Sequence, residues 1–425
     1  MKATYYIIIF ICFNLFTPLW SQTEEPLTLD QCIALALKNN NLYKSQQHKY
    51  LASQARVRQA YAFPQPEISL DYDLQPKLFK FKQPGESYIG INQSIEFPGR
   101  RYLRGKIAGK ESDMTACELD LVRKEIIYNV KRSFYELLFK LEIQKYTEAN
   151  LEMARNFFAK TQEKYDSGDT AKFEMLQAKV ETARAGNQLE VSINQVKLAT
   201  AQLNFFLARE KFQPLQVQGK LKAPLIEIDL QTALTLALAS HPDIKKEQLA
   251  VKKETLIQKQ AALSFLPDVS LGLSRHRIQG EPSTWDTTIS FQVPLFFWQK
   301  INGEIAESNA NRRAAQERLK YLELSISLDI ENAYYNVISL KNQVELFEKE
   351  VLEEAEQVYQ MSITSYQEGK TGSIQSIEAR RSLASIKQDY AETLFNYQVA
   401  LAELEKTVGT SMTGLKHETA RGADE

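Results

Sequence analysis

The chain has 425 residues, with 52 lysines and arginines against 53 aspartates and glutamates, so no net field draws it to nucleic acid or to an anionic membrane surface. Glycine and proline are together about 7% of the residues, where roughly 12% is usual; this excludes a turn-rich all-β protein, a collagen and a Gly/Pro-rich disordered chain, and favours long helices. Three scattered cysteines, and four histidines with no i,i+3 or i,i+4 pair, exclude a disulfide framework, a CxxC zinc site and a histidine-based metal or nucleophile centre.

At the N-terminus Lys2 precedes an apolar run from Tyr5 to Leu15, and Ser21 ends the segment before the polar Gln22-Thr-Glu-Glu. Residues 1–21 read as a secretory signal peptide. The run is too short for a spanning helix, which needs about 20 apolar residues. No later segment approaches that length.

The remainder is one unit written twice. Leu27-Thr-Leu-Asp-Gln-Cys-Ile-Ala-Leu-Ala-Leu37 recurs, shifted by 201, as Ile228-Asp-Leu-Gln-Thr-Ala-Leu-Thr-Leu-Ala-Leu238. The same shift lays Pro66-Glu-Ile-Ser-Leu70 on Pro267-Asp-Val-Ser-Leu271 and Tyr165-x-x-Gly168 on Tyr366-x-x-Gly369. The predicted organisation is a first repeat over 22–213, a linker over 214–227, a second repeat over 228–409 and a disordered polar tail over 410–425.

Each repeat opens with a helix and continues as two strands. Apolar residues alternate with polar ones at Ile68, Leu70, Tyr72 and at Ile89, Ile91, Ile95, Phe97, then again at Val269, Leu271, Leu273 and at Ile289, Phe291, Val293. Strands are predicted at about 67–75, 87–97, 268–276 and 286–294, joined by turn-like clusters at 83–87 and 279–283.

Proline is absent from 99–213 and 295–425. A proline inside a helix costs about 3 kcal/mol, so two such stretches rich in Ala, Leu, Glu, Lys and Gln predict long helices. Leu119, Val122, Ile126, Val130, Phe134 and Leu137 match Leu319, Leu322, Ile326, Ile330, Tyr334 and Val337 at an offset of 200. Helical hairpins are predicted at about 101–208 and 299–408, with tips at 165–170 and 366–373. At the tips Gly168 and Gly369 supply left-handed residues, and Asp169 or Thr170, and Ser373, are N-cap candidates for the returning helices. The outgoing arms, about 101–166 and 299–367, reach roughly 100 Å at 1.5 Å per residue. A single-chain globule cannot contain them.

Nine to eleven residues is the length of a strand that crosses an outer membrane when tilted. Four strands cannot close into a barrel there, since membrane barrels start at about eight. Three copies of the chain would give twelve strands, and two copies would give eight. Taken alone, the alternation equally fits two soluble hairpins capping a helical domain.

The signal peptide, the doubled helix–strand–strand–long-helix unit, the Leu-Thr-Leu-Asp-Gln opening and the Tyr-x-x-Gly tips together resemble the TolC-like outer-membrane efflux protein family, from about Leu27 to Gly409. The resemblance implies a mainly α fold with a small β part: a homotrimer with a 12-stranded barrel in outer-membrane lipid, continued by a long α-helical barrel in the periplasm of a Gram-negative bacterium. It implies an exit duct, with no enzyme activity and no cofactor, that docks by its tips on a periplasmic adaptor (a membrane fusion protein) serving an inner-membrane pump of the RND type. Ile95-Glu-Phe-Pro-Gly-Arg-Arg101 and Val293-Pro-Leu-Phe-Phe-Trp298 are similar to the heavy-metal, CusC/CzcC-like branch, which implies metal cations as cargo ahead of drugs, other small molecules or proteins.

Tip residues that the resemblance assigns to adaptor docking are Tyr165, Gly168, Asp169, Gly369, Lys370 and Gly372. For a periplasmic gate it implies Glu174, Tyr366, Gln375 and Glu378, with Tyr366 bonding to the acid of the first hairpin. Two positions depart from the pattern: Thr371 replaces an arginine and Gln375 an aspartate. Solvated helix-face glutamates and aromatic packing of a hairpin end account equally well for Glu174, Glu378, Tyr165 and Tyr366. The rival classes are a secreted structural coiled-coil protein and an enzyme, and for the latter no GxSxG, HExxH or phosphate loop is present.

Overall fold

The computed structural model describes residues 26–73, 85–210, 213–224, 229–293 and 296–410. The expected signal peptide and the tail from 411 on lie outside them, as do 74–84 between the first two strands and 225–228 of the expected linker.

The elements run α1 Leu29–Asn39, α2 Asn41–Ala60, β1 Glu67–Asp73, β2 Glu86–Ile95, α3 Arg100–Asp166 and α4 Lys172–Phe206. The second repeat follows as α5 Leu230–Ser240, α6 Pro242–Ala262, β3 Asp268–Ile278, β4 Thr284–Gln292, α7 Phe297–Leu346, a π turn Phe347–Val351, α8 Leu352–Gln367 and α9 Ser373–Val408. The mainly α fold with a small β part is borne out, and no helix among the described residues is long and apolar enough to cross a membrane.

Two helices, where the sequence suggested one, precede each strand pair. Thr28 starts α1 with a capping box to Gln31. Asn40 then bends the chain and caps α2, its Oδ1 accepting from the backbone N–H of Leu42 and Tyr43 at 2.9 and 3.3 Å. His241 does the same for α6, accepting from Asp243 N–H, with Pro242 at the first helical position where its missing N–H costs nothing.

The 67-residue α3 is shared between two neighbourhoods. Its strand-proximal half lies against α2, through Ser53 and Ser112 hydroxyls 3.0 Å apart, and against α6, through Lys246 and Glu118 at 2.8 Å. Its tip-proximal half lies against α4, where the Thr147 and Ser192 hydroxyls are 2.9 Å apart. Twin cores reflect the duplication. One gathers Cys32, Ala36, Ile126, Val130, Phe134 and Leu203, the other Ala233, Ala237, Ile326, Ile330, Tyr397 and Leu404. Leu221 touches both cores, and Lys131 of α3 pairs with Glu405 of α9 between them.

The two tips close alike. Asp169 N–H reaches Lys164 O and Gly168 N–H reaches Tyr165 O, and Lys370 and Gly369 repeat this with Ser365 O and Tyr366 O. Gly168 and Gly369 have φ of 85° and 73°, the left-handed values this motif needs. The expected caps beyond them are corrected: the N-cap positions are Ala171 and Gly372, neither with a side-chain cap bond. Thr170 instead donates its hydroxyl to Glu174, one turn into α4, at 2.8 Å.

The arm expected to run unbroken over 299–367 carries the π turn. Its cause is visible in the repeat arithmetic. Leu137 and Val337 are 200 apart, whereas Tyr165 and Tyr366 are 201 apart. The second arm therefore holds one extra residue, which an i→i+5 turn absorbs without rotating the tip.

All four strands form one antiparallel sheet in the order β1-β2-β3-β4, and β2–β3 joins the repeats with Ile91 opposite Leu273. β2 and β4 begin one or two residues before the expected 87 and 286.

Deleting Glu350, exposed within the π turn, should convert it to α-helix and leave the thermal unfolding midpoint nearly unchanged. Deleting Ser382 from α9 should rotate every later residue by about 100° and abolish cooperative unfolding, as read by circular dichroism.

Candidate functional site

At the tips the second hairpin seats on the first. Tyr366 is only 4% exposed. Its ring packs on Phe157 with centroids 5.1 Å apart, and its hydroxyl donates to Thr161 Oγ1 at 3.3 Å. Lys164 Nζ donates to the Tyr366 carbonyl at 2.7 Å and lies 4.5 Å from the ring centroid. The expected bond from Tyr366 to Glu174 is not formed; Glu174 accepts instead from the hydroxyl of Thr170, in the tip turn just before α4. The two groups still sense each other: burial first, then the Glu174 charge, pushes the Tyr366 phenol above its ordinary value.

Glu174 also faces the second tip, since a Cβ at Gly372 would stand 3.8 Å from its Oε1 and 3.5 Å from Gln375 Oε1. The structure thus gathers Glu174, Tyr366, Gly372 and Gln375 at one level. Glu378 lies further along α9, exposed, and its charge helps hold the Arg381 guanidinium protonated. Gly168, Asp169, Gly369 and Lys370 are exposed at the end of the molecule, with Tyr165 half-buried behind them. Asp169 accepts from the Ser167 hydroxyl at 3.0 Å, and Lys370 pairs with Glu368 at 2.6 Å.

Further from the tips, buried charges tie the hairpins together. Glu181 of α4 takes Arg381 of α9 in a two-pronged grip at 3.0 and 2.5 Å, and accepts from Arg380 Nη2 at 3.2 Å. Arg380 Nη1 reaches Asn150 Oδ1 of α3 at 2.5 Å. The Arg380 and Glu181 side chains are 5% and 8% exposed. The hydrogen bonds from Arg381, aided by both guanidinium charges and by Arg184, hold the Glu181 carboxyl below the usual range although burial opposes them. Such a paired, satisfied cluster specifies one arrangement of the three helices, and removing one partner leaves an uncompensated buried charge.

At the other end of the molecule, the register sorts charge between the sheet's faces. Ile68, Ile91, Leu273 and Thr287 lie abreast on one face, while Ser69, Gly90, Ser274 and Asp286 lie abreast on the other. Alternation then places Glu67, Asp71, Asp73, Glu86, Asp268 and Asp286 together on the polar face, with no lysine or arginine among the described strand residues there. His276 stands among them, stacked on Tyr88 with centroids 4.1 Å apart, and 3.8 and 3.9 Å from Glu86 and Asp286. Arg100 anchors the base of the sheet to α3, pairing with Asp268 at 2.8 Å and donating to the Leu263, Ser264 and Leu266 carbonyls.

The sequence signature described as "Outer membrane efflux protein" matches residues 32–209 and 233–410, one match per repeat. The chain belongs to the outer membrane efflux protein family. Among its relatives is the cobalt-zinc-cadmium resistance protein CzcC of Cupriavidus metallidurans, 23% identical over 403 residues that cover 91% of each chain. The outer membrane protein TolC of Escherichia coli is 19% identical over 68% of this chain and 62% of its own length. Of solved structures, CusC superposes with a TM-score of 0.77 at 18% identity, covering 90% of this chain and 92% of that one. VceC of Vibrio cholerae gives 0.75 at 15% identity over 90% and 96%. The protein is therefore an outer-membrane efflux protein with the fold of those solved channels.

For this efflux protein, sequence reading missed Glu181, Arg380, Arg381 and Asn150. The signal available was the Arg380-Arg381 doublet on a helix whose apolar positions Ile377 and Leu383 are buried, which turns one of the two arginines inward. Replacing Glu181 by Gln should lower stability by about 3 kcal/mol, the scale of a broken buried pair. Because the folded Glu181 pKa is depressed, this contribution is present above the ordinary carboxylate pKa and fades as pH falls through the folded one. Thermal midpoints of the wild type and Glu181→Gln should differ at pH 7 and converge in acid.

Proposed function

We propose that three copies of this chain close a twelve-stranded barrel through the outer membrane and form the exit duct of a tripartite efflux system for heavy-metal cations. The observation that carries the reading is the sheet itself. Its edge strands β1 and β4 each pair on one side only, one face is apolar and the other is acidic. In lipid such a sheet must close, with its apolar face outward. Two copies would make eight strands, whose interior is just wide enough for side chains to fill; three leave a passage.

Unpartnered apolar stripes on the helices support the same assembly. Phe173, Leu176, Val180, Val191, Leu198 and Phe205 are exposed along α4, and Tyr321, Leu324, Leu328 and Tyr335 along α7. Leu198 and Phe205 are 70% and 75% exposed, Tyr321 and Leu324 both 73%. Stripes on two different helices suit a head-to-tail contact that closes a ring.

The helices then extend the duct into the periplasm. The tip residues Tyr165, Gly168, Asp169, Gly369, Lys370 and Gly372 meet a periplasmic adaptor coupled to an inner-membrane RND-type pump, and Glu174, Tyr366, Gln375 and Glu378 form the entrance. Residues 1–21 direct export. Metal cations are favoured as cargo by two things: the polar face bears six carboxylates per chain without a lysine or arginine among the described strand residues, and the relative CzcC is a cobalt-zinc-cadmium resistance protein. A lumen ringed by carboxylates selects cations.

In planar bilayers the wild type should be cation-selective, and Asp71→Asn with Asp73→Asn and Glu86→Gln should move the reversal potential toward zero. Tyr366→Phe with Glu174→Gln should raise single-channel conductance; unchanged conductance would remove these residues from the entrance. A deletion strain should become sensitive to zinc, cobalt, cadmium or copper, and sensitivity to drugs alone would contradict the metal assignment.

A further inference from the structure

Among the described strand residues the apolar face of the sheet carries two charges, both on β3 and both cationic. Arg275 lies opposite Ile89 on β2 and Trp285 on β4, and Arg277 lies opposite Ser87, which in turn faces Tyr72. Alternation puts both arginines on the face of Leu271 and Leu273. Two residues apart on one strand, their Cα atoms are about 7 Å from each other. Both stand at the end of the sheet remote from the helices, beyond the apolar belt of Val269, Leu271, Leu273, Ile289 and Phe291.

Neither arginine has a carboxylate partner among the described residues, although six carboxylates crowd the opposite face of the same strands. Arg275 is held in place instead. Its Nε and Nη2 donate to Ser283 Oγ at 3.2 and 2.9 Å, and its guanidinium carbon lies 5.9 Å from the Trp285 ring centroid. Arg277 is exposed. A cation on a lipid-facing surface is costly at mid-depth and nearly free at the interface. There it meets the one anion a membrane supplies in quantity, phosphate, which a guanidinium binds in bidentate fashion.

We infer that Arg275 and Arg277, with Trp285 and Tyr72 beside them, form a docking surface for the phosphate groups of an outer-leaflet phosphorylated glycolipid. The inference rests on the barrel reading, which puts this face toward lipid and this end of the strands at the outer surface. The occupant is argued from charge complementarity and from position. The arginines sit above an apolar belt suited to acyl chains, so one amphipathic molecule can satisfy both, which a free anion cannot. Segregating the acids to the other face keeps them from competing for the guanidinium groups and from repelling the phosphates.

The test uses the full-length protein, delipidated in non-ionic detergent and titrated with bisphosphorylated lipid A under native mass spectrometry. Wild type should bind it. Arg275→Gln with Arg277→Gln should bind about ten-fold more weakly or worse, as the loss of charge-assisted bonds implies. Arg277→Gln alone, at an exposed position, should show an intermediate loss, and the double Lys variant should recover part of the binding. Dephosphorylated lipid A should bind wild type no better than it binds the double Gln variant.

Equal lipid A binding by wild type and the double Gln variant would overturn the inference. So would displacement of the lipid by inorganic phosphate at equal concentration, which would mark a free-anion site. Flotation with phosphatidylethanolamine vesicles separates the two levels of the argument. A wild type that floats and conducts but shows no phosphate-dependent lipid binding overturns the docking surface alone; one that does not float overturns the barrel reading as well.

Discussion

The free edges of β1 and β4 are the constraint on which the rest of the structure depends. Each presents backbone N–H and C=O groups with no partner strand among the described residues, and in hydrocarbon every such group left unpaired costs several kcal/mol. Four strands are too few to close a barrel in lipid, so in the proposed duct other copies of the chain complete the sheet. The long helices obey a related logic. A 67-residue α3 is far too long for a globular core, and α4 and α7 expose apolar stripes that water alone does not favour. Sheet edges and helix stripes are both unfinished surfaces, and the proposed trimer would cover both.

Chemistry follows from alternation. A strand sends successive side chains to opposite faces, so two faces of different character need only a period-2 sequence and a register that keeps like with like across β1 to β4. This chain uses that device to keep its strand carboxylates on one face and its two strand arginines on the other. At the opposite end, cations joining the two hairpins include Lys164 of the first and Arg380 and Arg381 of the second. The tip position that holds an arginine in the family pattern is Thr371 here. Arg380, buried with Glu181 and Asn150, ties the hairpins together further along α9.

Much of this was legible in the sequence because it rests on local or periodic signals. Proline-free stretches marked the helices, alternation marked the strands, and Gly168 and Gly369 marked the tips with their left-handed φ. The resemblance to the outer-membrane efflux family needed only the order of those signals. The elements that escaped depend on cap geometry or on distant partners. The bends at Asn40 and His241 are made by side chains that accept backbone N–H groups only once the chain has turned. The Glu181–Arg380 pair joins residues 199 apart, and in a helix rich in charge its members look like any solvated face. That Tyr366 donates to Thr161 and not to Glu174 depends on two hairpins being in place, since residues 161 and 366 are 205 apart. The π turn is an intermediate case: the change of repeat offset from 200 to 201 announces an inserted residue, but only the structure says that it is taken up between Phe347 and Val351.

The measurement that bears most directly on the central claim is the protein mass of the detergent-solubilised particle, obtained by sedimentation with the bound detergent subtracted. The account predicts three chains per particle, the number that turns a four-stranded sheet with two free edges into a passage wide enough to conduct. A particle of one chain, stable in water without detergent, would contradict it, and so would a particle of two.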